Sequence, residues 1–272
     1  MPEVARQYWE AIASTLRVAR PLAPGPEDIE WFRRSAAAAF AAAGNRPGIA
    51  LVLGVTPPLL TFQWPSGVTP LALDWAVPIF RHRWPAGTAS LGAAADWRRL
   101  PLESGVTRFA CGDGCYTALG RAADIPELNR EVARTLVRGG TLALRCFVRS
   151  PDGPSAPALC ALLRGGELPN PSLFRWLFAM ALQGDSPDGV VVGAAWEAWN
   201  SAFPDRDELR RLGWDDEAFR GFDRWKGQRM RYCFHTTQEL RRLAEPHLEM
   251  EAIDLPGYSF GERFPRVILR KP

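Results

Sequence analysis

Gly54, Asp74, Asp96 and Asp113 each close or directly follow a short apolar run of the chain. Asp74 stands 20 residues after Gly54, the spacing at which nucleotide-binding folds set an acid against the ribose. A carboxylate suits that task because it accepts hydrogen bonds from both ribose hydroxyls. Other chemistry-bearing residues cluster beside these four: Thr56 after Gly54, Trp75 after Asp74, Trp97 after Asp96, Gly112 before Asp113, and Tyr116 shortly beyond. Each has an ordinary structural use, a glycine in a turn or an aspartate as a helix N-cap. Their order along the chain is the informative part. In open α/β sheets ligands bind at the carboxyl ends of the strands, near the point where strand order reverses.

Elements able to hold those residues are visible in the apolar pattern. Segments 49–54, 70–74, 89–96, 106–111 and 141–148 read as buried strands, and 125–137 reads as a helix stopped at Gly139-Gly140. Strands alternating with helices predict an α/β fold around a mostly parallel sheet. Two helices come first. Val4, Tyr8, Ile12 and Leu16 form a stripe over 2–19, and a second helix is expected over 27–43 after Pro24-Gly25-Pro26. Segment 151–157 reads as a proline-rich loop, followed by helices at 172–182, 190–203 and 206–213. A helix at 237–244 and strands at 248–255 and 266–269 close the chain, the last two as an antiparallel hairpin. The expected organisation is an N-terminal helical lid (1–45) and a Rossmann-like domain (46–272) carrying a helical cap insertion at about 151–230.

Composition narrows the function classes. The chain has 272 residues, 47% hydrophobic and 23% charged, which supports a large core and excludes general disorder. Thirty-three basic against thirty acidic residues is too balanced for a dedicated nucleic-acid binder. No apolar run reaches the roughly 18 residues of a membrane span. The first ten residues lack a basic-then-apolar leader, so a cytoplasmic location is expected. Five scattered cysteines fit reduced thiols, with Cys111 and Cys115 read as buried ones. His82, His235 and His247 have no metal-ligand spacing, and no metal is expected.

The ordered segments Leu51-Val52-Leu53-Gly54-Val55-Thr56-Pro57, Ala72-Leu73-Asp74-Trp75, Ala95-Asp96-Trp97-Arg98-Arg99-Leu100-Pro101-Leu102, Gly112-Asp113-Gly114-Cys115-Tyr116 and Glu131-Val132-Ala133-Arg134-Thr135-Leu136-Val137-Arg138-Gly139-Gly140 resemble class I S-adenosylmethionine-dependent methyltransferases. The resemblance covers about 49–148, with the closing hairpin matching the family's last two strands. It implies that Gly54 admits the methionine part of S-adenosylmethionine, that Asp74 holds the ribose, and that Asp96 and Trp97 frame the adenine. Asp113 would lie near the sulfonium and the acceptor. The family's first loop is usually G-x-G-x-G, whereas here Gly54 leads into Val55-Thr56-Pro57-Pro58, the LGVTP form of that loop.

A sulfonium is already an activated electrophile, so methyl transfer asks mainly for positioning and for aromatic faces around the cation. Tyr8, Trp9 and Trp31 are expected to cover the cofactor, and Tyr116 to stand beside the sulfonium. Asp113, Glu197 and His235 are open candidates for an acceptor base. Arg145 is read either as a partner for a carboxylate or as a surface residue. A lid and a cap favour a small-molecule substrate. The leading expectation is methyl transfer to a small metabolite. The alternative, which resembles the azetidine-2-carboxylate synthase branch, is cyclisation of S-adenosylmethionine by attack of its own α-amine on its γ-carbon. An inactive cofactor-binding subunit is a third reading. A nicotinamide-dependent oxidoreductase is disfavoured by the missing G-x-G-x-x-G after the first strand.

Overall fold

The computed structural model describes residues 3–42, 44–168 and 170–272. In chain order its strands are β1 (Gly48–Leu53), β2 (Val68–Asp74), β3 (Leu91–Ala94), β4 (Thr107–Asp113), β5 (Leu136–Arg145), β6 (Val190–Val191), β7 (Arg231–Tyr232), β8 (Glu249–Asp254) and β9 (Arg266–Arg270). The helices are α1 (Glu3–Ile12), α2 (Pro26–Ala41), α3 (Pro57–Thr61), α4 (Val77–Arg83), α5 (Cys115–Leu119), α6 (Ile125–Thr135), α7 (Ala156–Arg164), α8 (Pro171–Gln183), α9 (Val192–Ala202), α10 (Arg206–Arg211), α11 (Asp216–Asp223) and α12 (Thr237–Ala244).

Seven strands form one sheet in the order β3-β2-β1-β4-β5-β9-β8. Strands β1 to β5 run parallel, β9 is antiparallel to β5, and β8 is antiparallel to β9. The architecture is thus the expected mostly parallel Rossmann-like sheet with an antiparallel final pair.

Side-chain alternation along β1 explains the layering. Leu51 and Leu53 face one side, where they pack with Leu128 and Val132 of α6 and Leu240 of α12. Ala50 and Val52 face the other side, against Phe32, Ala36 and Phe40 of α2 and Leu59 of α3. All four are fully buried, so the strand is apolar throughout, each large side chain contributing about 1.5–3 kcal/mol by its burial. Helix starts follow local chemistry. Asp28 accepts the Gly25 N–H at the head of α2, and Thr236 and Glu239 form a reciprocal capping box on α12. No helix among the described residues is long and apolar enough to cross a membrane.

Several boundaries differ from expectation. The helix expected over 2–19 ends at Ile12, because both the amide and the hydroxyl of Thr15 bond the Ile12 carbonyl and close the chain into a turn. Pro2 and Ala43, expected as the ends of the first two helices, lie outside the described residues. Gly139-Gly140 does not stop a helix. α6 ends at Thr135, and the two glycines form an irregularity inside β5, where pairing jumps from Thr107↔Leu136 to Phe109↔Thr141. Pro157 lies in the first turn of α7 instead of continuing a loop, with Ser155 capping the Ala158 amide.

Between β5 and α12, helices α7 to α11 gather their own aromatic core. Trp199 stacks on Phe222 at 4.3 Å, and Trp214 stacks on both rings. The β6–β7 ribbon ties this cap together. Tyr8 of α1, Phe147 and Tyr232 belong to the same cluster, so α1 and the helices after β5 pack as one layer over the sheet ends, while α2 packs on a face of the sheet.

Candidate functional site

Strand order reverses between β1 and β4, so the carboxyl ends of these two strands open a crevice. Gly54 follows β1 with φ +90°, a conformation that side chains rarely adopt. A Cβ there would lie 3.4 Å from the Trp97 ring and 3.6 Å from Asp74 Oδ2, which places all three at one point. The carboxylate of Asp74 accepts the Ala76 N–H at 2.9 Å and the Val55 N–H at 3.3 Å, one on each oxygen. Burial pushes its pKa up to about 6, against the opposite pull of those backbone donors. The Trp97 indole N–H donates to the Leu73 carbonyl, which fixes the ring beneath the crevice.

A cavity of about 370 Å³ occupies this crevice. One wall comes from the strand ends and includes Gly54, Thr56, Asp74, Trp75, Trp97 and Asp113. The opposite wall is aromatic: Tyr8 and Trp9 from α1, Phe147 after β5, Trp176 from α8, Trp225 after α11, and Tyr232 from β7. Burial raises the phenols of Tyr8 and Tyr232, which therefore remain neutral hydrogen-bond donors. Asp74 and Asp113 are the carboxylates of this lining among the described residues.

Asp113 is held by Arg145, whose Nε donates to Oδ1 at 2.7 Å and whose Nη2 donates to Oδ2 at 3.2 Å. The guanidinium is completely buried and also donates to the carbonyls of Pro21 and Leu22. It is thus neither a surface residue nor part of the cavity wall. It joins β4 and β5 to the segment linking α1 and α2. Burial raises the Asp113 carboxyl, and the fork of Arg145 pulls it back down.

The other residues singled out from the sequence lie elsewhere. Tyr116 is buried, and its hydroxyl donates to Asn129 Oδ1 on α6 at 2.5 Å, away from the cavity lining. Asp96 accepts the Arg98 amide and pairs with the Arg98 guanidinium at 2.8 Å, outside the lining. Gly112 sits inside the sheet, where a Cβ would meet Cys115 Sγ at 2.9 Å. Trp31 packs edge-on against Phe32 on the α2 face of the sheet. Among the base candidates, Glu197 is exposed on α9, and His235 lines a separate small cavity where burial lowers its pKa to about 4. All five cysteines are free and buried; Cys115 reaches the main cavity, and burial raises its thiol to about 12. Among the described residues no group of three or more His, Cys, Asp or Glu is placed to hold a metal ion.

Sequence reasoning passed over four arginines in the lining: Arg17, Arg83, Arg175 and Arg224. Arg83 donates to the Leu16 carbonyl, and Arg224 to the Thr15 carbonyl and Glu217. Arg175 carried a readable signal, since it is the lone charge in the helix PSLFRWLFAMALQ. Trp176, Trp225, Tyr232 and Phe147 carried none, because the cap's tertiary packing alone decides which of its many rings face inward.

The strand order, the reversal between β1 and β4, and the antiparallel final pair define the Rossmann-like fold of class I methyltransferases. Solved structures agree. A Rhodobacter sphaeroides protein assigned provisionally as a Zn-dependent alcohol dehydrogenase superposes with a TM-score of 0.63 at 13% identity, covering 100% of this chain and 99% of its own. The N-methyltransferase NodS of Bradyrhizobium japonicum, solved with S-adenosyl-L-homocysteine, gives 0.52 at 10% identity over 99% of this chain and 100% of its own. A chain of the Haloferax volcanii complex between the Trm112 methyltransferase activator and a protein assigned as a methyltransferase gives 0.51 at 12% identity, covering 97% of each chain. At such identities the likeness is one of fold, and the differing assignments of these proteins show how loosely fold constrains chemistry. No protein-family model and no curated protein matches the chain.

Proposed function

We propose that the chain binds S-adenosylmethionine in the cavity between the strand ends and the cap, and transfers its methyl group to a small acceptor. The carrying observation is the convergence of Gly54, Asp74 and Trp97 at the switch point of the sheet. Each Asp74 oxygen spends one acceptor position on a backbone N–H and keeps capacity for a ribose hydroxyl. Gly54 leaves open the space that a side chain would fill. That NodS was solved with S-adenosyl-L-homocysteine on the same fold supports the reading.

The cofactor would supply an activated methyl group on a sulfonium. The protein's share is to bind, orient and exclude water. Asp74 anchors the ribose, while Trp75 and Trp97 border the nucleoside end. The aromatic wall of Tyr8, Phe147 and Trp176 offers faces to a cation in a dry site. Asp113, fixed by Arg145, contributes a carboxylate of set orientation where the acceptor must approach. Small size of the acceptor follows from the enclosure by lid and cap.

Calorimetry with S-adenosylhomocysteine tests the reading. Binding to the wild type is expected, with a loss of about 100-fold in Asp74→Ala, the equivalent of one or two charge-assisted hydrogen bonds. Absence of binding would overturn it. Mass spectrometry after incubation with S-adenosylmethionine alone separates the two uses of the cofactor. Unchanged cofactor is expected. Methylthioadenosine with an equal amount of azetidine-2-carboxylate would replace methyl transfer by cyclisation.

A further inference from the structure

Arg175, half-buried on the cavity wall, is unlike the buried arginines. Arg145 is paired with Asp113, Arg149 with Asp185 and Glu239, and Arg266 with Glu27 and Asp254. Among the described residues Arg175 has neither an ion pair nor a hydrogen bond, and its Nε is shut off from solvent without a partner. Its guanidinium lies 5.2 Å from the Trp225 ring and 6.0 Å from that of Phe222. On another side it rests against Gly221, where a Cβ would come within 2.5 Å of Nη1. Arg175, Gly221 and Trp225 all line the main cavity, together with the phenols of Tyr8 and Tyr232.

A charge set in such surroundings without a counter-ion is costly, and removing that cost is what a complementary ligand does. The planar fork of arginine matches a carboxylate with two parallel hydrogen bonds. The phenols of Tyr8 and Tyr232, hydrogen-bonded to each other, remain protonated beside it and keep one hydroxyl hydrogen for a ligand, and the Arg175 charge acts on both. The balance of the lining points the same way: with Arg224 paired to Glu217 and Asp113 to Arg145, Arg17, Arg83 and Arg175 are left against Asp74 alone.

We propose that Arg175, seated on Gly221 and Trp225 and flanked by Tyr8 and Tyr232, recognises a carboxylate on the acceptor molecule. The inference rests on the methyl-transfer reading for the word acceptor, though not for the anion site itself. The carboxylate belongs to the acceptor and not to the cofactor because the surroundings of Arg175 come from α1, α8, α11 and β7, whereas Gly54, Asp74 and Trp97 lie at the strand ends. Trp225 and Tyr232 beside the fork suit a flat or apolar body attached to that carboxylate.

Benzoate and its neutral isostere benzamide are the probes, titrated by ligand-observed NMR against the full chain. Wild type is expected to bind benzoate at least about tenfold more tightly than benzamide, since a charge-assisted pair is worth roughly 1.5–3 kcal/mol. Arg175→Met should abolish that preference while S-adenosylhomocysteine affinity stays within about twofold. Gly221→Ala is the second variant, because alanine suits the helix interior and only displaces the guanidinium; it should reduce the preference severalfold. Equal affinity for both probes in the wild type, or a preference that survives both variants, would overturn the proposal. So would an Arg175→Met variant that loses S-adenosylhomocysteine and keeps benzoate, which would seat the cofactor's own carboxylate on Arg175. Failure of the wild type to bind S-adenosylhomocysteine would remove the methyl-transfer reading and leave the benzoate comparison decisive for the anion site.

Discussion

The two walls of the cavity treat their polar groups in opposite ways. At the strand ends the protein answers Asp74 by two backbone amides, Trp97 by the Leu73 carbonyl and Asp113 by Arg145. On the cap side, Arg175 Nε and Trp176 Nε1 are both enclosed without partners. A wall whose donors and acceptors are satisfied internally is organised by folding and waits ready for a ligand. A wall with orphaned donors keeps part of its hydrogen-bonding capacity for something not covalently part of the chain. The first arrangement suits a constant ligand and the second a selected one.

The sharpest way to break this contrast is to remove an internal answer from the strand-end wall. Arg145→Met leaves the Asp113 carboxylate buried without its partner and should cost about 3–5 kcal/mol of stability, measured by chemical denaturation. A cost below about 1 kcal/mol would mean that Asp113 does not depend on the pair.

Next in size is a pH effect centred on Asp74. Burial raises its pKa from 3.8 to about 6, so in the free protein its contribution to stability is fully present below the ordinary value and lost as pH rises through about 6. Ligand binding has the opposite sign, because ribose hydroxyls bond the ionised carboxylate more strongly than the neutral acid. S-adenosylhomocysteine affinity should fall about tenfold between roughly pH 7 and pH 5, and the residual binding of Asp74→Ala should be flat over that range. Calorimetry across the range checks both.

The smallest expected effect sharpens the boundary of the site. Tyr116→Phe should lose about 1 kcal/mol of stability with the Asn129 hydrogen bond, and change S-adenosylhomocysteine affinity less than about twofold. A tenfold loss of affinity would draw Tyr116 into the binding surface.

The same contrast explains what could be read in advance. Buried parallel strands announce themselves as apolar runs, and their ends as the glycine or acid that follows, so Gly54, Asp74, Trp97 and Asp113 were legible together with the sheet. Residues whose role depends on which neighbour they meet were not. Tyr116 looked suited to a sulfonium, yet Asn129, close only because α6 packs back on the sheet, takes its hydroxyl. Arg145 left two readings open; the carboxylate pair is the one that holds, with Asp113, and the carbonyls of Pro21 and Leu22, remote in sequence, could not be foreseen. For the cap the difficulty was greater, since any of its rings could have filled the aromatic core or faced the cavity. Arg175 alone broke the apolar pattern of its helix.

The bonds from Arg145 to Pro21 and Leu22 have a kinetic corollary. They moor the backbone between α1 and α2 to the centre of the sheet, so that α1, with Tyr8 and Trp9, hangs from a fixed point. Thr15 and Leu16, between α1 and that point, are held in turn by Arg224 and Arg83. Breaking the mooring is therefore expected to speed unfolding and to loosen the aromatic wall of Tyr8 and Trp9 in one step.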